Sequence, residues 1–271
     1  MDETRKIVTQ SIAATLAVIL ILGGAYGGNY WYTHREAATP PPAAPAAPPD
    51  AAAVAPPPAK PASEFQFPID DSAAEHALKL EDSDAPFIEA LTHLKGWRSS
   101  ALRLLIPTDI IRHIVATVDA LPRDKLPLAV DPVQSIPGSF TVATGVKGSV
   151  ISNANERRYA PFVDAVTALD TAQLVGAYRH FYPLFQQAYR ELGYPKAYFN
   201  DRLVEVIDDL LAAPEPAASL EVVAPGAMFH YVDPDLEALP AGQKILVRVG
   251  RDHEKALKAK LRDLRAAITS G

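Results

Sequence analysis

The chain has 271 residues, 48 % of them hydrophobic, with a formal net charge of −6, a pI near 5.6 and no cysteine. An acidic balance of this kind excludes nucleic acid as the main partner. The missing thiols remove disulfides, thiolate zinc sites and cysteine nucleophiles together.

Residues 1–11 form a short head whose basic residues are Arg5 and Lys6. Residues 12–32 carry no charged side chain and are apolar through most of their length. About 20 such residues cross a bilayer core as a helix, and rings favour its boundary. Tyr26, Tyr30, Trp31 and Tyr32 stand at the far end, so a single transmembrane helix is expected, and the lipid bilayer is the first expected partner. A cleaved signal peptide is the rival reading, with Gly23-Gly-Ala25 as a weak cleavage site. Arg5 and Lys6 before the span, against Arg35 alone just after it, orient the N-terminus inward. Gly23, Gly24, Gly27 and Gly28 make two overlapping small-residue pairs on which two spans would approach closely as a homodimer.

Residues 33–64 are rich in alanine and proline, as in Pro40-Pro-Pro and Pro56-Pro-Pro. Proline removes a backbone donor and restricts its neighbour, and little here is large enough to bury. The stretch reads as a spacer. It is expected to hold a folded domain, residues 65–271, off the membrane on the side away from the cytoplasm.

Within that domain, Ser83-Asp-Ala-Pro86 is a helix start with a hydroxyl cap, followed by the apolar face Phe87, Ile88, Leu91 and Leu94. A second helix is expected from Thr108-Asp109 to Leu121-Pro122, lined by Ile111, Ile114, Val115 and Val118. Ser139–Thr144 and Ser149–Ser152 read as strands joined by Gly145-Val-Lys-Gly148. A helix through Phe162, Val163, Val166 and Leu169 follows. Asp170-Thr171 then caps the helix that dominates the domain. Leu174, Tyr178, Phe181, Tyr182, Phe185, Tyr189 and Leu192 make its apolar face at helical spacing. Pro183 lies within it, and a bend is expected there without a break. Asn200-Asp201 is read as the cap of the next helix. Leu220–Val223 and Met228–Val232 form a hairpin, Lys244–Val249 is a further strand, and Leu257, Leu261, Leu264 and Ile268 face the core from a last helix. The expected fold class is mostly helical α+β, one compact helical domain with small β-hairpin elements.

Several of these segments form a familiar order: Ser83-Asp84, Thr117-Val-Asp-Ala-Leu-Pro122, Asn155-Glu-Arg-Arg-Tyr159, Tyr182-Pro-Leu-Phe-Gln-Gln-Ala-Tyr189, Leu192-Gly-Tyr-Pro195, Phe199-Asn-Asp201 and Gly242-Gln-Lys244. Together they resemble the bacterial domain-of-unknown-function family numbered 3014. The resemblance implies a bacterial envelope setting and a membrane segment followed by a tether. It implies no activity, substrate or catalytic residue.

The sequence offers no catalytic residue by motif. No His-Glu-x-x-His pair, Gly-x-Ser-x-Gly elbow or phosphate loop is present, and neither a metal nor a cofactor is expected. Asp208 and Asp209 are adjacent on a helix and do not face each other. Asn155, Arg157, Arg158 and Tyr159 are the best polar cluster. They read either as an anion or carboxylate clamp or as a helix entrance with an arginine paired to Asp119, Asp170 or Asp201. Lys255, Lys258, Lys260, Arg262 and Arg265 read as a solvated face. The expected function is a membrane-anchored periplasmic binding or assembly module, its partner an envelope protein or peptidoglycan. An envelope hydrolase acting on cell-wall glycan is the alternative.

Overall fold

The computed structural model describes residues 65–69, 78–99, 105–126, 132–134, 136, 139–145, 148–216, 219–224 and 229–270. The expected span, its glycine pairs and the proline-rich spacer lie outside these residues. Among the described residues no helix is long and apolar enough to cross a membrane.

The architecture is mostly helical with one small antiparallel sheet. A 3-10 turn, Leu80–Asp82, leads into α1, Asp84–Thr92. Then come α2, Ile110–Ala120; β1, Val142–Thr144; β2, Ser149–Ile151; α3, Ala154–Thr167; α4, Thr171–Glu191; and α5, Phe199–Leu211. The chain closes with β3, Glu221–Val223; β4, His230–Tyr231; α6, Pro234–Glu237; α7, Ala241–Arg248; and α8, Arg251–Thr269. The strand order is β1-β2-β3-β4, so the two hairpins join through β2 and β3, with Val150 opposite Glu221.

Helix α4 runs through the core, packed by α2, α8 and α5. Its aromatic face is buried as the spacing requires: Tyr178, Tyr182 and Phe185 are fully enclosed. Phe87 of α1 meets Phe181 edge-on at 5.4 Å, and Phe185 stacks on Phe199 of α5 at 5.8 Å. Such ring pairs add to the area term, which for one aromatic is roughly 150–250 Å². Asp170 caps the helix by accepting from the Gln173 N–H at 2.9 Å. The helix continues through Pro183, where the carbonyl of Arg179 has no partner one turn on. Leu192 falls beyond the last turn and is 42 % exposed, so the apolar face ends at Tyr189.

Helix ends that the sequence cannot cap locally are capped from a distance, since the first N–H and last C=O groups need partners. The Asp84 carboxylate accepts from the Asp109 and Ile110 N–H groups at 2.8 and 2.9 Å, starting α2 from α1. Ser83 does not cap α1. Its hydroxyl donates back to Leu80. Asn200 and Asp201 do not cap α5 either; they lie in its first turn. The cap is Gln186 of α4, whose Oε1 accepts from the Phe199 N–H at 2.9 Å and whose Nε2 donates to Ala197.

The stretch Lys244–Val249, expected as a strand, is the end of helix α7 and the residue after it. A short Ile-Leu-Val run is ambiguous by itself, and tertiary contacts decide it. Ala241 and Gly242 donate their N–H groups to the carbonyls of Arg123 and Leu121, so the start of α7 satisfies the end of α2. A Cβ at Gly242 would stand 2.7 Å from a Leu210 methyl and 3.3 Å from the Leu121 carbonyl oxygen. Only glycine allows this approach without a shift.

The C-terminal basic residues divide. Lys255 and Arg262 are exposed, but Lys258 and Lys260 are buried, correcting their reading as one solvated face. Lys258 Nζ donates to the Ala213 carbonyl at 2.5 Å and pairs with Glu215 and Glu254 at 3.2 and 3.0 Å. Lys260 Nζ donates to the Leu169 carbonyl and to Thr171 Oγ1, and burial lowers its pKa. Both lysines satisfy carbonyls that follow a helix, where cations are favoured.

Candidate functional site

The cluster singled out in the sequence opens α3, and the structure splits it. Asn155 is buried and structural. Its amide exchanges two hydrogen bonds with the backbone of Thr141, accepting at 3.0 Å and donating at 2.6 Å, and donates to Ser152 at 2.9 Å. It therefore holds the start of β1 to the end of β2. Arg157 points outward and is exposed. Tyr159 lies one turn after Asn155 and is 1 % exposed. Arg158 is half-buried: its guanidinium lies 4.7 Å from the Tyr159 ring centroid and donates to the Tyr159 hydroxyl at 2.6 Å. Arg158 and Tyr159 thus belong together, while Asn155 and Arg157 serve other surroundings.

The acids offered as partners for these arginines are used elsewhere. Asp119, 2 % exposed, pairs with Arg202 of α5 at 3.0 Å and with Arg123, and accepts from the Tyr194 hydroxyl at 3.2 Å. Arg202 also donates to the Asp119 carbonyl at 2.8 Å. Asp170 caps α4, and Asp201 binds the backbone of Gln66 and Phe67.

The sequence reading missed a second arginine, at the end of α7. The Arg248 guanidinium lies 5.3 Å from the Tyr231 ring and 5.7 Å from the Phe140 ring, and Phe229 lies 5.4 Å from Phe140. Tyr231 is 4 % exposed and donates its hydroxyl hydrogen to the Lys244 carbonyl at 3.1 Å. Burial pushes the Tyr231 pKa up, and Arg248 opposes that rise. Arg248 Nε is buried without a hydrogen-bond partner, and Arg248 makes no ion pair with a carboxylate among the described residues. Its environment is a cation against aromatic faces, worth about 0.5–2 kcal/mol by itself. One sequence signal pointed here: Phe229 and Tyr231 alternate in the segment expected as the second strand of the hairpin. Nothing local linked them to Phe140 or to Arg248.

Tyr159 adds a small electrostatic push to the rise of the Tyr231 pKa. Glu237 accepts from the Tyr231 N–H at 2.8 Å and from His230 at 3.1 Å. Burial would raise its pKa, but these donors and Lys244 hold it below the usual range.

Asp208 and Asp209 diverge, as adjacent helix positions must. Asp208 pairs with Arg265 at 2.5 Å, whereas Asp209 accepts from Gln243 at 3.0 Å and has its pKa raised by burial. Among the described residues no group of three or more His, Asp and Glu is placed to hold a metal ion. No curated protein and no solved structure matches the chain. The profile of the family described as "Protein of unknown function (DUF3014)" matches residues 110–265, more than half of the chain, and the chain belongs to that family.

Proposed function

We propose that the chain is a membrane-anchored binding module of the bacterial envelope, with its folded domain held on the periplasmic side by the proline-rich spacer. The charge-free run of residues 12–32 and the Arg5/Lys6 bias support the anchor and its orientation. Arg248 carries the binding reading. A half-buried guanidinium whose buried Nε has no hydrogen-bond partner, and which has no carboxylate partner among the described residues, suits a carboxylate or another anion, which an arginine fork binds bidentately. The anion or carboxylate clamp read from Asn155–Tyr159 is thereby narrowed to Arg158 and Tyr159, with Arg248 added. The partner is an envelope protein or peptidoglycan, both of which present carboxylates.

Photo-crosslinking in intact cells tests this. A photoreactive residue at exposed Val232, next to Tyr231, should capture an envelope component from the full chain, and Arg248→Gln should weaken that capture severalfold. Equal capture by the variant contradicts the role of Arg248. A phosphatase reporter fused after Gly271 should be active; an inactive one reverses the orientation.

A further inference from the structure

Residues 65–69, Phe-Gln-Phe-Pro-Ile, lie over the start of α5 as a short strap without helix or strand. Most of the strap is on the surface: Phe65 is 54 % exposed, Gln66 and Pro68 are exposed, and only Ile69 is buried. A segment woven into a fold is held mainly by its side chains. This one is held mainly by its backbone, and by side chains of one short stretch of the domain.

Asp201 accepts from two successive N–H groups, Gln66 at 3.1 Å and Phe67 at 2.9 Å, one on each carboxylate oxygen. The bend at Gln66 and Phe67 turns both donors the same way. Asn200 Nδ2 donates to the Phe67 carbonyl at 2.8 Å. The Tyr198 hydroxyl accepts from the Ile69 N–H at 2.5 Å and donates to the Ile69 carbonyl at 2.9 Å. Residue 68 is proline and has no N–H to offer. The backbone donors of residues 66 to 69 are therefore all taken. Side-chain selection is added by the Phe65 ring, 4.6 Å from Tyr198, and by Phe67 and Ile69 against the core.

The receiving side chains are braced from behind. Asn200 is fully buried and accepts from the Tyr178 hydroxyl at 3.1 Å. The N–H of the first helical residue, Phe199, is buried and already bound by Gln186, so side chains and not the helix terminus read the strap. The receiver also lies inside the stretch matched by the family, residues 110–265, while the strap lies before it. Two successive amides on one carboxylate, one carbonyl on an amide and one residue clasped at both ends by a hydroxyl describe recognition of a peptide.

We propose that Tyr198, Asn200 and Asp201 form a peptide-binding site for segments of the type aromatic-x-aromatic-Pro-aliphatic, filled in cis by the chain's own residues 65–69. The site is independent of the Arg248 cluster, and its ligand is a backbone where that of Arg248 is an anion.

The test uses the full chain in detergent, with a specific protease sequence inserted between Asp71 and Ser72. After cleavage, residues 1–71 should remain bound to residues 72–271 on gel filtration. A synthetic peptide covering Ser63–Asp71 in excess should release them. The same peptide N-methylated at Phe67 lacks the N–H that Asp201 accepts, and should need about tenfold more or higher for equal release. Because the change is made in the ligand, misfolding of the domain cannot produce it. Separation on cleavage alone, failure of the peptide to release the fragment, or equal potency of the two peptides overturns the proposal.

Discussion

Two arginines define two regions of this molecule. Arg202 lies in the helical core, bonded to the side chain and carbonyl of the buried Asp119, with Tyr194 and Arg123 completing the set. Arg248 lies where the sheet meets the helices, against Tyr231 and Phe140, with no carboxylate partner among the described residues. The first charge is consumed by the fold. The second is placed by rings, which hold a guanidinium without neutralising it. A core arginine of the first kind serves stability, and one of the second kind keeps its charge, which is the basis of the binding role proposed for it.

Removing Asp119 should produce the largest effect on the core side. Asp119→Ala takes its buried carboxylate from Arg202 and leaves it only the exposed Glu205 at 3.4 Å, and breaking a buried pair costs about 3–5 kcal/mol. Urea unfolding of the folded domain should show that loss. A change below about 1 kcal/mol would mean that the network is not structural. Gly242→Ala should come next, at about 1–3 kcal/mol, because its methyl meets Leu210 and the Leu121 carbonyl and overpacking of this kind is destabilising. It should leave capture through Arg248 in proportion to the folded fraction.

Arg248→Gln sharpens the comparison from the other side. It should cost only about 1 kcal/mol in stability, the scale of a cation over aromatic rings, while reducing ligand capture severalfold. A large stability loss would assign Arg248 to the fold. The smallest effect concerns pH. Burial raises the Glu254 pKa above 4.5, against the pull of Lys258. The folded state then holds that proton more tightly than the unfolded chain. The favourable contribution is greatest below 4.5 and falls as pH rises through the folded value. Glu254→Gln should flatten that fall, as measured by unfolding at several pH values.

The core was legible because its signal is local. Tyr178, Phe181, Tyr182, Phe185 and Tyr189 recur at helical spacing and all are buried. The hairpins were legible from strand–turn–strand patterns, and both form. What failed was decided at long range. Lys244–Val249 became a helix because the end of α2 needed donors and Gly242 permits the approach. Lys258 and Lys260 were read as solvated because a lysine's spacing does not reveal the unpaired carbonyl it will reach. Half of the candidate site was visible in Arg158 and Tyr159. The other half required Phe140, Tyr231 and Arg248 to meet from three separate segments, and no periodicity encodes such a meeting.

The most direct test follows the Nε–H signals of Arg248 and Arg202 by NMR in the full chain in detergent. Soluble peptidoglycan fragments with free carboxylates, and an acidic peptide as the protein-like probe, are added in turn. With one of the two probes the Arg248 signal should move and saturate while the Arg202 signal stays fixed. If Arg248 is unmoved by both, or if both arginines shift together as they would with added salt, the separation of a structural from a ligand-binding arginine is contradicted.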